Sequence, residues 1–284
     1  MTLFVEGLAE LAPRYDVVFC DVWGVIHNGV GAYPAACAAL EAFRKSGGTV
    51  ILVSNAPRPN PSVMPQLRTL GVPDTAWDAI VTSGDVARRL IADRAGEKLY
   101  FIGAERDHHL FDGLDAPQAG IGEAGYVVCT GFANDETETV DDYHERLRAL
   151  AARRLLMLCA NPDLVVERGH KLIPCAGALA ERYMALGGEV TQTGKPFRPI
   201  YETALAKAAE LRGKPVPASR ILAIGDAIRT DVAGAVGIGI DALFVMRGIH
   251  GVELLGEGTP SAEVFECWSA QQSHRPSHAI EWLR

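Results

Sequence analysis

The sequence carries six cysteines (Cys20, Cys37, Cys129, Cys159, Cys175 and Cys267) but no C-x-x-C spacing. That removes the common zinc and dithiol motifs. Most of the six lie in apolar runs, where cysteine behaves as a small hydrophobe, so a reduced, cytoplasmic setting is expected. No apolar run reaches the length of a membrane span. Residues 1–13 have neither a basic leader nor a long apolar centre, so a short amphipathic helix is expected there rather than a signal peptide. Positive charge is also scarce: 27 Lys and Arg against 35 Asp and Glu leave a net charge of −8. Nucleic acid and anionic membrane both need a basic face, and neither is expected as a partner. The histidines lack a metal-ligand pattern, since His108-His109 and the His274/His278 pair have no third partner. Internal repeats, low-complexity tracts and Ser/Gly linkers are absent too.

What the chain does have is a set of short, continuous apolar runs that end on polar groups. Apolar residues make up 48% and charged residues 22% of its 284 positions, the balance of a globular protein long enough for two domains. Residues 17–20 run into Asp21, residues 49–53 into Ser54 and Asn55, and residues 220–225 into Asp226. Continuous runs of this kind read as strands buried on both faces, as in parallel sheets. Open sheets of that class bind ligands beyond the carboxyl ends of their strands.

Helical patterns alternate with these runs. Pro34 opens one that Gly47-Gly48 stops, the usual asymmetry of proline at the start and glycine past the end. Residues 56–61 read as a proline-rich loop, and residues 63–70 as a helix. Ser83 is placed as the cap of a helix carrying Val86, Leu90 and Ile91. The pattern restarts between about 98 and 188, with strands near 98–103, 126–130 and 155–159 and a helix over 139–154. A long helix then bears Tyr201, Leu205, Ala208 and Leu211, and a final helix is predicted near 278–283. The fold expected is α/β, a Rossmann-like parallel-sheet core (residues 1–84 and 190–284) with a smaller α/β domain inserted at 85–189.

Asp21, Ser54, Lys195, Asp226 and Asp231 are the candidate site. Asp226 and Asp231 flank a tight turn after a buried strand, and with Asp21 they offer hard oxygen ligands suited to magnesium (Mg2+), which shares its shell with substrate phosphate. Lys195 supplies positive charge, and the Ser54 hydroxyl and nearby N–H groups suit phosphate oxygens. A carboxylate free of full metal ligation can attack phosphorus and form an aspartyl phosphate. Singly, each residue has a plainer reading: a strand-end aspartate is commonly a cap, and Gly-Asp or Gly-Lys-Pro a turn. The order and the strand-end placement make the set specific.

In that order the chain resembles the haloacid dehalogenase-like (HAD) hydrolase superfamily, subfamily IIA, the branch of NagD-type and para-nitrophenyl-phosphatase-like enzymes. The resemblance rests on Asp21-Val22-Trp23-Gly24-Val25, Ser54-Asn55, Gly194-Lys195-Pro196, and Asp226 with Asp231, and it covers nearly the whole length. Residues 160–163 and 174–177 resemble cap-loop segments of these phosphatases. The resemblance implies that Asp21 is the nucleophile, that Ser54 and Lys195 hold phosphoryl oxygens, and that Lys195 restrains Asp21. It implies metal ligation by Asp21, Asp226 and the Trp23 carbonyl, with Asp231 direct or through water. Asn55 and Arg58 join the expected substrate-binding set, with Arg247 a further candidate for a substrate anion. The implied partner is a small phosphorylated metabolite, a homodimer is possible by analogy, and the inserted domain acts as a cap that excludes water.

One position departs from the pattern. These phosphatases carry a second aspartate two residues after the nucleophile as general acid and base, and here that residue is Trp23. A positioned proton-transfer group contributes about 10²–10⁴-fold in rate. His27 is the nearest titratable substitute, with packing or capping as its plainer role. The leading expectation is a magnesium-dependent phosphatase whose turnover the missing aspartate would slow. The alternatives are a phosphometabolite-binding protein with weak or no turnover, and a dehalogenase-like enzyme, which would need no metal and so leaves Asp226 and Asp231 unexplained.

Overall fold

The computed structural model describes residues 2–168, 171–256, 258 and 261–284. In chain order its strands are β1 (Leu3–Phe4), β2 (Val17–Cys20), β3 (Thr49–Ser54), β4 (Ala79–Thr82), β5 (Leu99–Ile102), β6 (Tyr126–Cys129) and β7 (Leu156–Cys159). Then come β8 (Val165–Arg168), β9 (Lys171–Pro174), β10 (Glu189–Gln192), β11 (Ile221–Gly225), β12 (Asp241–Val245) and β13 (His278–Ile280). Among the described residues a seven-stranded sheet runs β1-β13-β12-β11-β2-β3-β4, parallel at every pairing. A four-stranded parallel sheet runs β10-β7-β6-β5, and β8 and β9 form an antiparallel hairpin.

The larger sheet is covered on both faces, which is why its central strands read as unbroken apolar runs. Val18, Cys20, Val50 and Leu52 point into a core completed by Leu40 and Phe43 of α1 (Pro34–Lys45) and Leu67 of α2 (Asn60–Thr69). After β4 comes α3 (Ser83–Ala92), and the smaller sheet carries α4 (His144–Ala152) and α5 (Ala176–Ala185) on one face. The intervening residues Val17, Phe19, Ile51 and Val53 point to the opposite face of the larger sheet. There they meet Ile200, Tyr201 and Ala204 of α6 (Arg198–Arg212) and Ala235 of α7 (Ala233–Ile238). This period-two division of one strand between two cores follows from the alternation of side chains along a strand.

From β2 the chain goes to β3 and β4 on one side, whereas from β11 it goes to β12 and β13 on the other. The connections therefore part between β2 and β11, and a crevice opens there beyond the carboxyl ends of the strands. Asp21 follows β2 and Asp226 follows β11.

Several local expectations differ from the structure. Thr82, not Ser83, caps α3, because its hydroxyl accepts the Asp85 N–H while the Asp85 carboxylate accepts the Thr82 N–H. The helix expected over 139–154 divides into a tight turn, Val140–Tyr143, and α4. Pro61 lies in the first turn of α2, where its missing N–H costs nothing, so that helix begins inside the predicted loop. Both terminal helices are replaced: the first residues form β1 and two single 3₁₀ turns, and His278–Ile280 is a strand. These last two errors have one cause, since β1 and β13 pair with each other across the length of the chain. The smaller sheet runs on to Gln192, past the expected boundary at 189.

Leu52 is fully buried on a central strand. Leu52→Ala should destabilise the fold by about 2–5 kcal/mol, the usual cost of a leucine-sized cavity, read as a lower midpoint in equilibrium urea denaturation with an unchanged slope.

Candidate active site

Asp21, Asp226 and Asp231 converge at the crevice: each offers a carboxylate oxygen, and these lie within 4.8 Å of one another. All three are buried or nearly so, and Lys195 is buried among them. Lys195 Nζ donates to Asp21 Oδ1 at 2.5 Å and to Asp231 Oδ1 at 2.6 Å. Burial disfavours its charged form, but the two carboxylates outweigh that and raise its pKa well above the ordinary lysine value.

The backbone makes this crowding possible through glycine. Gly24 has φ +81°, and a Cβ there would lie 2.1 Å from Asp226 Oδ2. Gly248 presses on the same carboxylate from another side, and Gly225 lies against the Asp231 side chain. Asp231 itself sits in a single π-type turn, Ile228–Val232, and its Oδ2 accepts the Ala227 N–H at 3.2 Å. Asp226 Oδ2 accepts the Ile249 N–H at 2.7 Å.

Burial raises the Asp21 carboxyl to about 7, with Asp231 adding to the shift and Lys195 opposing it. Asp226 is raised well above the carboxylate range by burial and then by Asp21 and Asp231, against the Ile249 N–H and Lys195. The electrostatics are lopsided: three carboxyl groups face one ammonium, and full ionisation of all three would leave two uncompensated negative charges in a buried site. A hard oxygen donor set short of two positive charges fits a divalent cation.

Ser54 is buried, lines the cavity, and accepts the Ala56 N–H at 3.2 Å, which leaves its own O–H to donate. Asn55 is engaged differently from the expectation of substrate contact. Its Oδ1 accepts the Lys195 N–H at 2.7 Å, while its Nδ2 donates to Asp163 Oδ1 at 2.8 Å and to the Lys195 carbonyl at 3.2 Å. The Asn55 amide thus positions Lys195 and ties it to the loop after β7.

A cavity of about 690 Å³ opens over the cluster, lined by residues that follow strands of both sheets and by the β8–β9 hairpin. Trp23 forms part of its wall, its ring packed edge-on against His27 with centroids 5.0 Å apart. His27 is buried, its Nδ1 accepts the Gly29 N–H at 3.0 Å, and burial lowers its pKa to about 4. The remaining proton of this neutral ring is therefore on Nε2, so His27 fills the packing role and has no lone pair free for a base. Arg58 lines the cavity with its Nη2 donating to Gln66 Oε1 at 2.5 Å and its Nε 4.0 Å from Asp107. Arg247 also lines it, and is held by Glu281 at 3.0 Å and the Gly258 carbonyl at 3.1 Å. Sequence reasoning missed Arg106, Asp107 and Asp135 on the cavity wall, because nothing in an isolated helix or loop marks which of its charges will face a cavity built by another sheet.

A parallel α/β sheet whose switch point gathers strand-end aspartates around one lysine, beneath a second small sheet, defines a class of hydrolases. A family model described as haloacid dehalogenase-like hydrolase matches residues 18–116, and a second, HAD-hydrolase-like, matches residues 192–267. The crystal structure of a haloacid dehalogenase-like hydrolase from Brucella suis 1330 shares 46% identity, covers 99% of this chain and 100% of its own, and superposes with a TM-score of 0.88. The chain belongs to the haloacid dehalogenase-like hydrolase family, in its NagD-like branch. The ribonucleotide monophosphatase NagD of Escherichia coli K12 is 24% identical over 248 residues, covering 83% of this chain and 89% of that protein. The D-glycerol 3-phosphate phosphatase of Mycobacterium tuberculosis is 26% identical over 258 residues, which span 86% of this chain and 66% of that relative.

The raised Asp21 carboxyl has a consequence for stability. A carboxyl whose folded pKa exceeds its unfolded value binds protons more tightly when folded, so stability falls as pH rises through the interval between the two. In chelator, thermal unfolding should show stability declining between about pH 4, the unfolded aspartate value, and about pH 7. Excess divalent cation should remove most of that decline, because it binds the ionised carboxylates of the folded state alone.

Proposed function

We propose that the protein is a magnesium-dependent phosphatase of a small phosphorylated metabolite, acting through an aspartyl-phosphate intermediate. The observation that carries the reading is the placement of Lys195 Nζ between Asp21 and Asp231, with Asp226 in the same cluster. The curated relatives named above are phosphatases, which supports the reaction class.

Asp21, Asp226, the Trp23 carbonyl and Asp231 would hold the cation; when bound it neutralises the carboxylates and polarises a phosphoryl oxygen as a Lewis acid. Asp21 is the nucleophile. Lys195 holds one of its oxygens by hydrogen bond, which fixes the direction of the other and favours the ionised form against burial. Lys195 and the Ser54 hydroxyl bind the phosphoryl oxygens, and Asn55 keeps Lys195 in place. A carboxylate oxygen of Asp21 bonds to phosphorus as the ester bond breaks, its electron pair leaving with the alcohol oxygen. Water then displaces the Asp21 carboxylate from phosphorus and releases phosphate. The smaller sheet with its helices and the β8–β9 hairpin serves as the cap, excluding water and selecting the leaving group through the cavity wall. Arg58 on that wall, with Asp107 beside it, favours a polar leaving group.

Purified protein assayed with magnesium against a panel of sugar, glycerol, nucleoside and aryl phosphates should release inorganic phosphate from at least one. Asp21→Asn should lower that rate by about 10⁴–10⁶-fold, as removal of a member of a covalent catalytic unit does. Absence of release from every ester, or an undiminished rate in the variant, rejects the reading.

A further inference from the structure

We propose that Asp163, on the loop after β7, is the group that gives a proton to the leaving oxygen and takes one from the attacking water. The inference rests on the phosphatase reading above, and supplies what the indole at position 23 cannot.

The other acidic and basic groups on the cavity wall have other engagements. Asp21 and Asp226 belong to the cluster around Lys195. Asp107 faces Arg58, and Asp135 is paired with Arg106 at 2.6 Å. His27 is neutral with its Nδ1 occupied. Asp163 differs from all of these. It lines the same cavity, yet it comes from the loop between β7 and the β8–β9 hairpin, which belong to the part of the chain proposed above as the cap that selects the leaving group. Its Oδ1 accepts from Asn55 Nδ2 at 2.8 Å, and its other oxygen accepts no hydrogen bond from a described residue. The loop that carries it is fixed closely against the site: Asn161 Oδ1 accepts the Asp163 N–H at 3.1 Å, and a Cβ on Gly194 would lie 2.7 Å from Pro162.

The surroundings of the carboxyl favour a group that cycles its proton. Burial raises it to about 6, Lys195 and the Asn55 hydrogen bond lower it, and Asp231 raises it. The Cys159 and Cys175 thiols also adjoin it, and burial keeps both protonated and uncharged. Protonated Asp163 donates its hydrogen to the alcohol oxygen as the ester P–O bond breaks, and becomes a carboxylate. That carboxylate then takes a proton from water as the water oxygen bonds to phosphorus and the Asp21–phosphorus bond breaks, with its electron pair returning to Asp21. The alcohol and phosphate leave, and Asp163 is protonated again.

Asp163→Asn tests this, because the amide keeps an oxygen to accept from Asn55 and loses only the acidity. First-turnover rates are measured with magnesium for p-nitrophenyl phosphate, whose phenolate departs without a proton, and for the alkyl phosphate that the wild-type protein hydrolyses fastest. The variant should release one equivalent of p-nitrophenolate at a rate within a few fold of wild type and then turn over slowly. Its first turnover of the alkyl ester should fall by about 10²–10⁴-fold, and the high-pH decline of wild-type kcat/KM on that ester should vanish. Equal losses on both esters, or no loss on either, overturn the assignment, as does a wild-type protein active only on aryl esters. If Asp163→Asn does not fold, Asp163→Ser makes the same comparison, since its hydroxyl can still accept from Asn55. A wild-type protein inert toward every ester rejects the phosphatase reading instead.

Discussion

A lysine ammonium held between two buried carboxylates, with a third alongside, is the constraint from which the rest of the structure follows. Taking such charges out of water is costly unless each is paired or neutralised. One positive charge cannot balance three negative ones, so the site is stable with its carboxylates ionised only when a further cation arrives. The pKa directions of Asp21 and Asp226 express the same imbalance. A site under that tension must be enclosed by rigid structure. The parallel sheet provides it, since β2 and β11 are adjacent, fully buried, and end together.

The glycines of the site belong to this enclosure. Gly24, Gly248 and Gly225 bring backbone to the surface of Asp226 and Asp231, so these side chains have little space to swing away from one another. Fixed groups of this kind bear the cost of repulsion before any substrate arrives, which is the sense in which a catalytic site is preorganised. Position 23 carries an indole without disturbing this cluster. A backbone carbonyl is present whatever the side chain, and the ring has room against His27 and over Gly29.

The sheet and the cluster were largely legible in the sequence, for a physical reason. Strands buried on both faces must be continuously apolar, so the chemistry at their ends stands out, and Asp21, Ser54 and Asp226 could be read from that contrast, whereas Lys195 follows a half-exposed polar strand and was legible only by its place in the order of the set. Less legible was anything that depended on a partner far along the chain. Residues 3–4 and 278–280 carry too few apolar positions to declare a period, and only their mutual pairing makes them strands. Thr82 and Ser83 are both good cap residues by type, and the reciprocal Asp85 bond decides for Thr82. Asn55 looked like a ligand for substrate because it follows Ser54. Its amide joins two segments that each lie more than a hundred residues further along the chain, at Lys195 and at Asp163, which no local pattern could disclose.

The pairing of β1 with β13 also bears on the order of assembly. A strand formed by residues 3 and 4 has no neighbour until residues 278–280 exist and have settled beside β12. The Leu8 N–H, bonded to the Arg284 carbonyl at 2.7 Å, waits equally long. Closing so wide a loop adds little to the equilibrium cost but delays the contact. During synthesis the amino-terminal segment therefore remains unattached while the crevice built from β2, β3 and β11 has all its strands in hand; the seam joining the two ends is the last edge of the sheet to close.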